Sequence, residues 1–187
     1  MQLVSYARLG VSASFDAPHA FLTSPLLPAP LLAALRTLLA LYALCTLATT
    51  LAFDVRLGIG RTFFSYFTEL SYIGLAAYYC AAAVQGMWYV RTGRFALRRW
   101  GRAAQAAHVL LQSTVVTFPF IVTVVFWALL SGGDTFATTF DTWSNISLHA
   151  LNSAFALLEL LFTNSPPAPL LALPVQLLLL IAYLGVA

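Results

Sequence analysis

The chain has 187 residues, of which 61% are hydrophobic and 8% charged, with a formal net charge of +3. A soluble domain carries roughly 25% charged residues, so this chain lacks the charge to cover a water-facing surface, and the composition excludes an ordinary soluble fold. All nine basic residues are arginine. Five of them, Arg91, Arg94, Arg98, Arg99 and Arg102, crowd one short connector between apolar stretches. That cluster reads as a topology signal facing anionic lipid, so membrane lipid is an expected partner and nucleic acid is not.

In chain order, the first 28 residues contain Arg8, Asp16 and His19 and then the Pro-rich run SPLLPAP. They lack the apolar core of a cleavable leader, so 1–28 is read as a cytoplasmic N-terminal segment and 29–187 as a single transmembrane helical domain. The first span is then expected to act as the signal anchor. Five apolar stretches follow, Leu31–Phe53, Ser65–Val90, Ala103–Leu130, Ser144–Thr163 and Leu170–Ala187. About 20 residues of helix cross the hydrocarbon core, and continuous apolar runs can satisfy their backbone in lipid only as helices. The expected fold is therefore all-α, an integral membrane bundle of about five transmembrane helices.

Two features mark individual spans. Arg36 lies near the start of the first and is expected to snorkel to the interface. Pro119 interrupts the third and is expected to kink it. Counting Arg on the two sides favours a cytoplasmic N-terminus, with Arg8, Arg36 and the five-Arg connector inside and Arg56 and Arg61 outside. The chain stops within an apolar run, and five spans would leave its end outside. A missing sixth span is expected, with the fifth helix the most loosely packed.

Polar groups in lipid are costly, so their placement carries the functional signal. Taking 100° per residue from Asn145, His149 falls at about 40°, Asn152 at about −20° and Glu159 at about −40°, one stripe facing the bundle interior. In the second span Ser65, Thr68, Tyr72 and Tyr79 share a face, with Glu69 at its edge. Thr68 and His149 both lie a few residues below the same outer surface and can meet. His108 and Glu159 lie near the inner surface, where an ion pair or hydrogen bond between them is expected. An intramembrane Thr usually bonds back to its own helix, and an intramembrane His calls for either a partner or a function.

Other chemistries are set aside. Cys45 and Cys80 fall inside spans and suggest neither a disulfide nor a metal site. No G-x-S-x-G elbow, H-E-x-x-H, phosphate loop or C-x-x-C occurs. A bis-histidine haem needs both ligands at one depth, which His108 and His149 do not offer. No metal or cofactor is expected.

Three segments carry a resemblance: YFTELSYIGL (Tyr66–Leu75), the long run Arg98–Leu130, and WSNISLHALNSAFALLELLFTNSPP (Trp143–Pro167). In them the chain resembles the fungal branch of the androgen-induced and androgen-dependent membrane proteins, multi-spanning hydrolases of eukaryotic endomembranes and plasma membrane. The resemblance implies six spans, so the last is expected to be missing here. It also implies a Thr nucleophile matching Thr68 and a His matching His149, acting on fatty acid esters of hydroxy fatty acids. Glu69 is outside that pattern.

The mechanism this implies is ester hydrolysis with His149 as base, Thr68 as nucleophile and a lipid ester as substrate. Asn145 or Asn152, one turn either side of His149, or Tyr72, would orient the imidazole or donate to the oxyanion. The alternative is a non-catalytic multi-spanning scaffold or lipid-binding protein, in which helix–helix hydrogen bonds fill the polar stripe. The topology is checked with introduced cysteines: positions 91–102 should react with a membrane-impermeant thiol reagent only from the cytoplasmic side, and positions 134–141 only from the opposite side.

Overall fold

A computed structural model describes residues 6–185, and no strand occurs among them. Seven helices follow in order: α1 (Ala29–Arg56), α2 (Phe67–Thr92), α3 (Arg102–Val115), α4 (Phe118–Val125), α5 (Thr139–Ile146), α6 (Asn152–Phe162) and α7 (Ala172–Leu184). A π-helical turn, Phe126–Leu130, extends α4, and a second, Ser147–Leu151, joins α5 to α6. Three continuous segments are long and apolar enough to cross a membrane: Ala29–Arg56, Arg102–Leu130 and Thr139–Phe162. Helix α2 matches them in length, with 26 residues, but Glu69, Gln85 and four tyrosines dilute its apolar content. Helix α7 has 13 residues, about 20 Å at 1.5 Å per residue, against a hydrocarbon core of about 30 Å.

The polarity of the bundle is that of a membrane protein. Large apolar side chains point outward, among them Leu38, Val84, Leu129, Leu161 and Ile181, while Thr46, Gln112, Ser113, Ser147, Asn152 and Glu159 are buried. In water this arrangement would expose the apolar surface and hide the polar groups; in lipid it does the reverse of harm. The α1–α2 pair, the most extensive helix contact, is built on small residues. Ala40, Ala43, Ala76 and Ala82 form its core, and Gly86 lets the backbones approach so closely that a Cβ there would meet the Cβ of Ala33 at 3.2 Å. Close approach through small residues is how helices associate where lipid tails remove the hydrophobic drive.

The expected third span bends at its proline. Pro119 stands in the first turn of α4, after a break at Val116–Thr117. Its ring removes one donor, and on the turns before it Ser113, Thr114 and Thr117 donate back to the carbonyls of Leu110, Leu111 and Ser113 at 2.6, 2.8 and 2.9 Å. The expected fourth span begins earlier than its apolar run, at Thr139. There the Thr138 hydroxyl accepts from the Asp141 amide at 3.1 Å, and the Asp141 carboxylate accepts from the Thr138 amide at 3.1 Å. This reciprocal capping sets the helix start before the hydrophobic signal does.

Two expectations about charged groups are corrected. Arg36 does not snorkel; it is 1% exposed and pairs through Nη2 and Nε with both carboxylate oxygens of Glu159. Glu159 therefore does not pair with His108. Tyr78 donates to the same carboxylate at 2.6 Å, and Arg36 Nη1 donates to the Phe21 carbonyl at 2.7 Å. The physical reason is competition: a charged, forked guanidinium within reach satisfies a buried carboxylate better than an imidazole, and the arginine itself has no cheaper location once α1 and α6 pack together. His108 instead stacks on Tyr78 and meets Phe21 edge-on, at ring separations of 5.6 and 5.4 Å.

Residues 6–28 pack onto this end of the bundle. Val11, Phe15, Phe21 and Leu22 form a core with Phe95, Leu97, Ala106 and Val109. Asp16 caps the turn at Ala20–Leu22, accepting from the Ala20 and Phe21 amides at 2.6 and 3.2 Å. Burial holds its carboxyl above the usual range, against the opposing pull of those amides and of Arg98. Helix α7 leans on α3 through Ala172 and Gln176 and leaves Leu173, Leu177, Leu178, Ile181 and Leu184 facing outward.

The buried pair sets the stability prediction. Glu159→Ala leaves a guanidinium buried without its counter-charge, which costs about 3–5 kcal/mol. That should lower the melting temperature in detergent by roughly 10 °C. The double replacement Arg36→Met with Glu159→Leu should recover part of the loss, but not all, because the Tyr78 hydroxyl and the Phe21 carbonyl lose their partner as well.

Candidate functional site

Thr68 is the second residue of α2. A Thr in the body of a helix bonds back to the carbonyl one turn earlier, but in the first turn no such helical carbonyl exists. The Thr68 hydroxyl accordingly makes no hydrogen bond among the described residues, and its side chain is half-buried. It lines an apolar groove of about 460 Å³ together with Phe67, Val122, Phe126, Leu180 and Tyr183. A neighbouring groove of about 510 Å³ shares Phe67 and Tyr183 and runs between α2, α3 and α7 past Ser71, Leu111, Thr114 and Gln176. Both volumes lie in the range of pockets that take a small molecule, and both are walled almost wholly by apolar side chains.

His149 sits in the middle of the π-helical turn between α5 and α6, 8% exposed, with its Nδ1 atom buried and unpartnered. Its backbone carbonyl accepts from Trp127 Nε1 at 2.9 Å. Phe126, beside that Trp, lies flat on the imidazole, with the rings 3.5 Å apart and 3° from parallel. Two π-helical turns thus face one another, one presenting the histidine and the other covering it. Each admits one residue more than a regular turn, a distortion that recurs at functional sites.

Phe126 touches the surroundings of both candidate residues. Its ring is in the wall of the groove that holds Thr68, and it is stacked against His149, which is not in that wall. No hydrogen bond joins Thr68 to His149. The other candidates from the sequence are committed elsewhere. Asn145 donates to the Thr135 carbonyl at 2.9 Å and so ties α5 to the loop before it. Asn152 accepts from the Thr123 hydroxyl at 3.1 Å and from the Ser153 amide at 2.6 Å, which joins α6 to α4. Tyr72 is 1% exposed and its hydroxyl is buried without a partner, as are Glu69 Oε2 and Thr46 Oγ1. The extra residue of the Ser147–Leu151 turn explains the parting of Asn145 from His149, since it rotates the two ends of the expected stripe relative to each other.

Three participants were missed by sequence reasoning. Phe126 and Trp127 read as an interfacial aromatic pair at the end of a span, and nothing in their spacing announces a π-helical turn. Ser147, fully buried, accepts or donates to the Tyr42 hydroxyl at 2.7 Å and donates to the Trp143 carbonyl at 2.7 Å, so it pins this turn to α1.

The stacking yields a direct test. Phe126→Ala should uncover the imidazole, so that its modification by diethyl pyrocarbonate, followed by peptide mapping, proceeds several-fold faster than in the parent protein. His108, between Tyr78 and Phe21, should be unchanged and serves as the internal reference. Comparison with protein-family models, with curated proteins and with solved structures finds nothing that matches this chain.

Proposed function

We propose that this chain is a multi-spanning, membrane-embedded hydrolase of lipid esters, with its N-terminus cytoplasmic, as the likeness to the androgen-induced membrane proteins implies. The observation that carries the reading is the Phe126 ring, which forms part of the Thr68 groove on one side and covers the imidazole of His149 on the other. A hydroxyl without a partner at the wall of an acyl-sized groove, and an imidazole with an unpartnered buried nitrogen behind one aromatic ring, are the parts such a reaction needs.

In this reading an acyl chain enters the groove sideways from the lipid and Phe126 turns away from His149. The imidazole takes the proton of the Thr68 hydroxyl, whose oxygen attacks the ester carbonyl. The same proton passes to the departing alkoxide, which leaves as the alcohol, and an acyl-threonine remains. Water, deprotonated in turn by His149, releases the fatty acid and restores Thr68. The Tyr72 hydroxyl, buried and without an acceptor, is the candidate donor to the oxyanion. Asn145 and Asn152 would act only after releasing Thr135 and Thr123.

A second reading is a lipid-binding protein without catalysis. The flat Phe126–His149 stack favours it, because the ring covers one face of the imidazole and no hydrogen bond joins that imidazole to Thr68.

Hydrolysis of a fatty acid ester of a hydroxy fatty acid by the detergent-solubilised protein separates the two. Thr68→Ala and His149→Ala should each lower the rate at least about 100-fold and abolish labelling by a fluorophosphonate probe. Labelling that survives Thr68→Ala would rule out the assigned nucleophile, and lipid retention without turnover in the parent protein would favour the binding reading.

A further inference from the structure

The opposite end of α2 carries a separate cavity of about 410 Å³, whose walls include Trp88, Thr92, Arg94, Phe95, Arg99 and Trp100. Its frame is fixed from several directions. Helix α2 stops at Gly93, whose φ of 65° turns the chain while its amide donates to the Tyr89 carbonyl at 2.7 Å. Phe95 and Leu97 are buried in the core shared with residues 11–22. Gln105 Nε2 spans the carbonyls of Leu97 and Trp100 at 3.1 and 3.3 Å. Arg98 is spent on the chain itself: its Nε donates to the Phe15 carbonyl at 3.0 Å, and its Nη2 to that of Asp16.

What this frame leaves over is charge. Arg94 and Arg99 are exposed at the cavity, and neither guanidinium has a hydrogen bond or a carboxylate partner among the described residues. No acidic residue occurs from Arg91 to Arg102. The walls are two tryptophans, Trp88 at 50% and Trp100 at 61% exposure, one near the end of α2 and the other just before the apolar segment Arg102–Leu130. Half-exposed tryptophan at the end of an apolar helix belongs at the headgroup level of a bilayer. Two guanidiniums lining one cavity at that level match the charge and the forked geometry of a phosphate.

We propose that this cavity binds the phosphate of an anionic phospholipid headgroup, with Arg94 and Arg99 as its ligands and Trp88 and Trp100 packed against the glycerol and upper acyl chains. The site is independent of the ester-hydrolase reading, since it uses none of the residues around Thr68 and His149. It also differs from a diffuse basic surface. Arg91 and Arg102 are exposed on the same connector but lie outside the cavity, so they share the charge without sharing the geometry.

That difference is the test. The full chain, purified in a neutral detergent, is titrated with dioctanoyl phosphatidic acid, and bound lipid is counted by native mass spectrometry. One saturable lipid is expected. Each cavity arginine should contribute roughly fivefold in affinity, so Arg94→Gln should weaken binding about fivefold and R94Q/R99Q about 25-fold. R91Q/R102Q removes the same charge and should change affinity less than about threefold. All four positions are exposed, so the melting temperature should hold in every variant, and Arg94→Gln alone supplies the reading should the double variant fold poorly. Equal loss in both double variants would overturn the site in favour of general electrostatic attraction. Dioctanoyl phosphatidylcholine binding as tightly would overturn the role of charge. Inorganic phosphate displacing the lipid at equal concentration would overturn the lipid as source and make this a site for a free anion.

Discussion

The bidentate pair between Arg36 and Glu159 is the interaction around which the bundle is arranged. It joins α1 to α6, takes in α2 through the Tyr78 hydroxyl, and takes in residues 6–28 through the Phe21 carbonyl. Two ions cannot lie in a helix bundle at 2% side-chain exposure unless their remaining hydrogen-bonding capacity is met, and here the tyrosine and the carbonyl meet it. Tyr79, next to Tyr78, donates to the Phe155 carbonyl at 2.6 Å, so α2 is fixed to α6 at two successive positions. These contacts set the rotation and the height of α2 relative to α6, and so limit where the start of α2 and the π-helical turn before α6 can lie. The positions of Thr68 and His149 thus depend on an ion pair that touches neither residue.

The environment explains why polarity is inverted along α1. In α1 the leucines at 31, 38, 41 and 44 point outward while Ala33, Ala40, Ala43, Thr46 and Thr50 point inward. With lipid as solvent, leucine gains little from burial, and the bundle is held instead by close backbone approach and by hydrogen bonds that lipid cannot supply. The cluster Tyr42, Ser147 and Trp143 and the cluster Thr123, Asn152 and Ser153 serve that purpose between α1, α4, α5 and α6. Unpartnered buried atoms are correspondingly informative, and three of them, on Tyr72, Glu69 and His149, lie on α2 and the facing π-helical turn.

The two π-helical turns give the candidate site its particular character. A regular helix through Phe126 or His149 would place a different face toward the neighbour, and Trp127 would not reach the His149 carbonyl. Widening both turns brings an aromatic ring flat onto an imidazole and gives the backbone of one turn a donor from the other. The result is a histidine whose ring is covered by one aromatic side chain, which also lines an apolar groove of about 460 Å³.

The sequence by itself determined the solvent and the class of fold. With 8% charged residues and apolar stretches at Leu31–Phe53, Ala103–Leu130 and Ser144–Thr163, only helices in lipid were possible, and the bend at Pro119 followed from a missing donor. Periodicity also identified the buried faces, since His149, Asn152 and Glu159 all point inward. Local sequence could not determine partners. Whether Glu159 takes Arg36 or His108 depends on which of two residues, 123 and 51 positions away, arrives with the better fork of donors, and that is settled only when α1, α3 and α6 pack. Nor could a 100° wheel foresee the extra residue in each π-helical turn, because that distortion is stabilised by contacts across helices: Trp127 to the His149 carbonyl, and Tyr42 to Ser147. The tertiary structure alone therefore decided that Asn145 faces a loop, that Arg36 is buried and that Phe126 both lines the Thr68 groove and stacks on His149. Pairing in a bundle is a competition among distant groups for a limited set of buried donors and acceptors, and neither spacing nor composition ranks the competitors.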